Sequence, residues 1–204
     1  LARKRLYRLK EPPMRIISGT AKGPRLASLG SADIRPTLDR VKESFFNQVG
    51  PGLGGVAFLD LFAGSGSMGI EALSRGAETV VFVEPNPKAQ SIIIQNLEKC
   101  KMTNNEEPPR WDLLKSSALT GLKTLKDRGL GFDWSYMDPP FADSLYGPAL
   151  LGISPSGILR RNAVVVVEHF HKTVLLKNYD KLNFFKDRRL GDSRLSFFKF
   201  EDSL

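Results

Sequence analysis

The stretch VAFLDLFAGSGSMG, residues 56–69, decides the fold. Its first four residues, Val56, Ala57, Phe58 and Leu59, form an apolar run that predicts a buried strand. The chain then passes through Gly64, Gly66 and Gly69 into a helical pattern. Strand, glycine turn and helix in that order bring backbone N–H groups towards a ligand at a helix N-terminus. Taken alone, this GxGxxG spacing suits a dinucleotide, a nucleoside or no ligand.

The elements that follow extend the pattern. A helix over residues 67–75 stops at Gly76, a suitable residue just past a helix end. Residues 79–83 are apolar and end at Glu84, about 20 residues beyond the glycines, where a carboxylate can accept from both hydroxyls of a ribose. Asn86-Pro87 opens a further helix in the favoured cap-then-proline order, with Ala89, Ile92, Ile93 and Leu97 on its apolar face. Residues 101–110 are a polar, proline-containing loop. Residues 111–114 predict a third strand, followed by Ser116-Ser117-Ala118 and a helix through Leu119, Leu122 and Leu125. The fourth strand covers 132–137 and runs into Asp138-Pro139-Pro140-Phe141. A short helix over 145–152, a fifth strand over 164–167 ending at Glu168-His169, and a hairpin of 183–189 and 194–200 complete the chain. Alternating strands and helices predict a parallel, doubly wound α/β sheet, to which the hairpin adds an antiparallel edge. Ligands of such sheets bind at the carboxyl ends of the strands. Gly64, Glu84, Ser117 and Asp138 all fall at such ends.

Upstream, residues 35–49 (RPTLDRVKESFFNQV) space Leu38, Val41, Phe45, Phe46 and Val49 as one helical face, with Thr37 as its cap and Asp39 in its first turn. Arg35, Thr37 and Arg40 are expected on the pocket side. Residues 14–29 predict a small hairpin carrying Arg15, Lys22 and Arg25. Residues 1–13 read as a basic, disordered tail ahead of Met14, a plausible start. The expected division is thus tail 1–13, hairpin extension 14–34 and main domain 35–204.

The 204 residues suffice for one sizeable core. A net charge of +8 favours a polyanionic partner, with nucleic acid ahead of a membrane surface. The one cysteine, Cys100, excludes an internal disulfide framework and suits a reducing, cytoplasmic setting. Each apolar run is interrupted well short of membrane-spanning length.

Asp138-Pro139-Pro140-Phe141 narrows the chemistry. The prolines fix φ and carry no N–H, so the turn is stiff and its carbonyls stay free to accept. A carboxylate and a carbonyl aimed at one point suit a planar –NH₂ group, and Phe141 can stack on an aromatic ring. Together they fit the exocyclic amino group of a nucleobase.

Three motifs, LDLFAGSGSMGIEALSRGA (59–77) with Glu84, DPPF (138–141), and MRIISG (14–19) with RPTLDRVKESFFN (35–47), resemble the RsmD family. Members are class I S-adenosylmethionine-dependent methyltransferases that modify guanine N2 in small-subunit ribosomal RNA. The resemblance implies a Rossmann-like, mostly parallel seven-stranded sheet with helices on both faces. It implies S-adenosylmethionine held by Asp60, Phe62, Ala63, Gly64, Ser65, Gly66, Glu84, Pro85, Ser117 and Ala118. It also implies an amino-group site at Asp138, Pro139, Pro140 and Phe141, and substrate contacts from Arg35, Thr37 and Arg40. Where the family pattern has an Asp for the adenine amino group, this chain has Ser117-Ala118. The implied partner is ribosomal RNA or a small-subunit assembly particle, met by a monomer without membrane or metal. Three other readings stand beside this one. They are an NAD(P) oxidoreductase, which leaves DPPF without a role, an amino-methyltransferase of DNA or another RNA, and a non-catalytic RNA-binding module.

Overall fold

The computed structural model describes residues 14–29, 37–50, 52–140 and 145–201, without the side chains of residues 37 and 38. Helix α1 (Thr37–Val49) precedes an alternation of β1 (Ala57–Asp60), α2 (Ser67–Ser74), β2 (Thr79–Val83), α3 (Pro87–Lys99), β3 (Trp111–Leu114), α4 (Ala118–Asp127), β4 (Phe132–Met137), α5 (Tyr146–Ile153) and β5 (Leu159–Phe170). Then come β6 (Asn178–Tyr179), β7 (Leu182–Leu190) and β8 (Ser193–Phe200). The sheet order is β3-β2-β1-β4-β5-β8-β7-β6. The first five strands in that order are parallel, and β8, β7 and β6 join antiparallel. The predicted parallel sheet with an antiparallel edge is what forms. Among the described residues it has eight strands rather than seven because the two-residue β6 pairs with β7, a segment too short to leave a periodicity in the sequence.

Strand alternation divides the core between two faces. Ala57 and Leu59 of β1 pack with Leu122 of α4 and Leu150 of α5, whereas Phe58 packs with Val41 and Phe45 of α1, Ile70 of α2 and Ile93 of α3. Phe45 anchors α1, its ring meeting Phe46, Phe58, Trp134 and Tyr136 edge-on at 4.8–6.0 Å. Such contacts add roughly 0.5–1.5 kcal/mol each beyond burial. Strand β5 extends well beyond the predicted Val164–Val167 stretch in both directions: its start pairs with β4 at Phe132↔Leu159, and its carboxyl half pairs with β8 from Val164↔Lys199 to Phe170↔Ser193.

Residues 14–29 lie against α2, with one antiparallel bridge, Arg15↔Arg25, between their two arms. A buried carboxylate holds them there. Glu71 Oε2 accepts from Ile17 N at 2.8 Å, and Oε1 accepts from Ser18 N and Arg75 Nε, both at 2.9 Å. Lys42 Nζ stands 3.6 Å from Glu71 and donates to the Arg15 carbonyl. Both charges are almost fully buried, and burial lowers the Lys42 pKa although Glu71 and Asp39 oppose the shift. Each of these donors is paired, so the cost of burying the ions is offset locally.

Candidate active site

The strand order reverses direction of growth at β1, with β2 on one side and β4 on the other, and a crevice opens outside their carboxyl ends. A cavity of about 330 Å³ occupies it. Its walls include Asp60 at the end of β1, Phe62 to Ser65 of the glycine turn, Ser67 and Met68 of α2, and Val41 of α1. Tyr136 and Asp138 reach it from the end of β4, Glu168 from β5, and Met14, Ser28 and Leu29 from the N-terminal segment.

The glycine turn is shaped by its own backbone and by two acids. Gly66 caps α2 at φ 77°, a left-handed conformation that glycine adopts without strain. Gly69 lets α2 lie against β2, since a Cβ there would sit 2.2 Å from the Phe82 ring. Asp60 Oδ2 accepts from Gly69 N at 3.0 Å. Burial, helped by Glu84, pushes the Asp60 carboxyl up to about 7 despite that bond. Glu84 Oε2 accepts from Gly64 N and Oε1 from Asn86 N, both at 2.8 Å. Glu84 therefore braces the turn from behind, 8% exposed and outside the cavity wall proper. A carboxylate has about four acceptor positions, of which these two bonds use two.

A second set of acids lies across the crevice. Burial, then the charges of Glu168 and Asp60, hold the Asp138 carboxyl well above the ordinary carboxylate range. Burial likewise raises Glu168, against hydrogen bonds from Tyr136 and Ser193. Tyr136 Oη donates to Glu168 Oε2 at 2.5 Å and is itself pushed up by burial and Glu168. These groups face one cavity, and their ionisations are linked.

The predicted residues fall into distinct groups. Asp60, Phe62, Ala63, Gly64, Ser65 and Asp138 line the cavity together. Glu84 and Gly66 act on its wall from behind, and Pro139 is buried beside Asp138 while Pro140 is exposed. Pro85 is exposed at the turn after β2. Ser117 is exposed and caps α4, accepting from Thr120 N and donating to Thr120 Oγ1 at 3.0 Å, and Ala118 belongs to the core. Neither lines the cavity. Arg40 is exposed on α1, one residue from Val41. Arg35 and Phe141 and the Thr37 side chain lie outside the described residues. His169 is buried and satisfied by the Phe170 carbonyl and Ser196, as a structural histidine should be.

Two contributors carry no motif. Glu168 directly follows the apolar run 164–167 within β5, a position near the carboxyl edge that could have marked it. Asn96, fully buried on α3, accepts from Ala27 N at 2.7 Å and donates to the carbonyls of Ala27 at 3.1 Å and Ser65 at 3.0 Å. It ties the N-terminal segment to the glycine turn. Only its polarity on an otherwise apolar helix face hinted at this.

Comparison with known proteins matches residues 14–199 to the family described as conserved hypothetical protein 95. The chain is 35% identical over 186 residues to the Bacillus subtilis protein named "Putative rRNA methyltransferase YlbH", covering 91% of this chain and 98% of that one. It is 37% identical over 155 residues to Haemophilus influenzae "Ribosomal RNA small subunit methyltransferase D", covering 76% of this chain and 78% of the relative. Among solved structures, "Putative methyltransferase yhhF from Escherichia coli" superposes with a TM-score of 0.77 at 28% identity, covering 94% of this chain and all of the other.

Proposed function

We propose, from the premise that this chain belongs to the conserved hypothetical protein 95 (RsmD) family, that it transfers a methyl group from S-adenosylmethionine to guanine N2 in small-subunit ribosomal RNA. The observation that carries the reading is that the glycine turn and Asp138 line one cavity at the sheet's switch point. A donor site and an amino-group acceptor so joined serve group transfer, whereas a nicotinamide site gives Asp138-Pro139-Pro140 nothing to do. The names of the relatives support ribosomal RNA as substrate.

The residues present fit the cofactor. The turn brings the chain at Phe62 to Ser65 up to the cavity wall, and Glu84, beside its bonds to Gly64 and Asn86, keeps acceptor capacity for ribose hydroxyls. Asp60 holds the α2 entry in place through Gly69. Bound S-adenosylmethionine supplies an electrophilic methyl group on a sulfonium, so no covalent enzyme intermediate is needed.

The chain's own task is to present the amino group. Guanine N2 is a poor nucleophile because its lone pair is delocalised into the ring. Hydrogen bonds from N2 to the Asp138 carboxylate and the Pro139 carbonyl orient it and favour positive charge as it builds on nitrogen. The same bonds favour ionised Asp138, opposing the burial that raises its pKa. That raised pKa makes Asp138 a stronger base than an exposed carboxylate, suited to accept the proton that the methylated nitrogen releases. The target base must leave its stack to reach the cavity.

Two measurements on the purified protein test this reading. Calorimetric titration is expected to give binding of S-adenosylmethionine and none of NAD. Asp138→Asn is expected to lose methyl transfer by a hundredfold or more, on the order of an electrostatic catalytic contact, while RNA binding persists. Binding of NAD alone, or full activity in the variant, contradicts the reading.

A further inference from the structure

A second concavity, about 410 Å³, lies on the other side of α1. Arg40, Glu43, Ser44 and Asn47 of α1 form one wall, and Arg188, Arg189, Leu190 and Gly191 at the β7–β8 turn form the other. We propose that this groove binds the phosphodiester backbone of the RNA substrate and so sets which base can enter the methyl-transfer cavity. The inference rests on the reading of the substrate as RNA.

Three guanidinium groups face one carboxylate here, and all three arginines are exposed. None of them forms an ion pair with a described residue. The basic neighbour Arg194, by contrast, is neutralised by Asp187 at 2.8 Å. Arg189 Nε donates to the Gly191 carbonyl at 3.1 Å, which holds the side chain over the turn and leaves its terminal nitrogens free of that bond. Unpaired charges held together in a concavity repel one another, and an anion relieves the repulsion. Arginine's planar fork matches phosphate oxygens in pairs. Ser44 supplies a separate observation. It is 7% exposed, its Oγ has no hydrogen-bond partner among the described residues, and it sits in the groove wall.

Topology aligns the groove with the chemistry. Strand β5 runs parallel to β4, and its last residue, Phe170, pairs with Ser193 at the start of β8. The β7–β8 turn is therefore on the same sheet edge as Asp138. Helix α1 is the wall common to both sites, with Val41 facing the cavity and Arg40, Ser44 and Asn47 facing the groove. Lys186 Nζ donates to Gln48 Oε1 at 2.8 Å and fixes the hairpin against α1. A backbone held in the groove thus leads a nucleotide across α1 into the cavity.

The test uses the full chain, an in vitro transcript of small-subunit ribosomal RNA and the double variant Arg188→Ala/Arg189→Ala. The control is Lys123→Ala/Lys126→Ala, which removes equal charge from exposed positions on α4, across the sheet. The groove variant is expected to bind the transcript about tenfold more weakly near 100 mM salt. Its plot of log affinity against log salt should be shallower by about 1.4, for two lost phosphate contacts on a single strand. Calorimetry should give unchanged S-adenosylmethionine affinity, and Arg188→Lys/Arg189→Lys should restore the salt slope, which counts charges, but only part of the affinity, because lysine lacks the fork. Equal weakening by groove and control variants overturns the proposal. So does unchanged transcript binding with lost methylation of an assembled particle, which would assign the groove to a protein partner. Wild-type protein that binds S-adenosylmethionine but no RNA overturns both this and the substrate reading. Wild-type methylation of RNA with an indifferent groove variant overturns the groove alone.

Discussion

Asn96→Ala is expected to destabilise the fold and weaken the methyl-donor site together. The side chain is fully buried and serves three backbone groups, Ala27 N, Ala27 O and Ser65 O, at 2.7–3.1 Å. Each net hydrogen bond contributes about 1 kcal/mol, and a buried group left unpaired costs about 1–3 kcal/mol. With partial relaxation around the three freed backbone groups the total is roughly 3–5 kcal/mol. Domains of this kind have about 5–15 kcal/mol to lose. The variant should still fold, with a melting temperature about 10 °C lower. Because Ser65 lines the cavity, affinity for S-adenosylmethionine should drop as well. Asn104→Ala is the comparison. Asn104 also bonds backbone on both sides, at Trp111 N and O, but stands beside β3 away from the cavity. It should cost less and leave cofactor affinity alone. Urea denaturation and calorimetry separate the two effects. A loss below about 1 kcal/mol for Asn96→Ala, or unchanged cofactor affinity, refutes the claim that this residue ties the N-terminal segment to the glycine turn.

Glu168→Gln keeps an acceptor for Tyr136 but removes a charge that raises Asp138, so the acid limb of the kcat profile should move to lower pH. An unmoved limb separates Glu168 from the acceptor site. Asp60, Asp138 and Glu168 all carry raised carboxyls and shift stability with pH in the same direction, and Asp60 gives the window. Its folded pKa near 7 exceeds the unfolded value of 3.8, so the native state binds the extra proton and stability falls as pH rises from about 4 to 7. The full shift corresponds to on the order of 4 kcal/mol, and Asp60→Asn should flatten that slope in denaturation curves recorded across the window. Glu71→Ala should cost about 3–5 kcal/mol by leaving Lys42 and Arg75 without their buried partner. Limited proteolysis should then cut within residues 14–29 first, and uniform digestion would count against the clamp.

What was legible in the sequence was local. The strand–glycine–helix unit at 56–69, the Asn86-Pro87 helix start and the closing hairpin are written in neighbouring residues, and all form as predicted. The sheet edge followed from topology, because parallel strands place every strand end on one side. Contacts made across many residues were not legible. Glu71 looks like any helical glutamate until the chain brings Ile17, Ser18 and Lys42 around it. Ser117 carries two signals at once: its place after β3 suggests a ligand contact, and a serine before a helix is also a favoured cap, which is the bond it makes. The groove beside α1 was invisible for the same reason as the Glu71 clamp. Arg40 and Arg188 are 148 positions apart in the chain and meet only because α1 packs on β7 and β8.

The most direct test of the central account is methyl transfer with radiolabelled S-adenosylmethionine to RNA from cells lacking this protein, followed by nucleoside analysis. The account predicts label in N2-methylguanosine from small-subunit RNA, lost with Asp138→Asn. Label in another nucleoside, in DNA, or retained by the variant would contradict it.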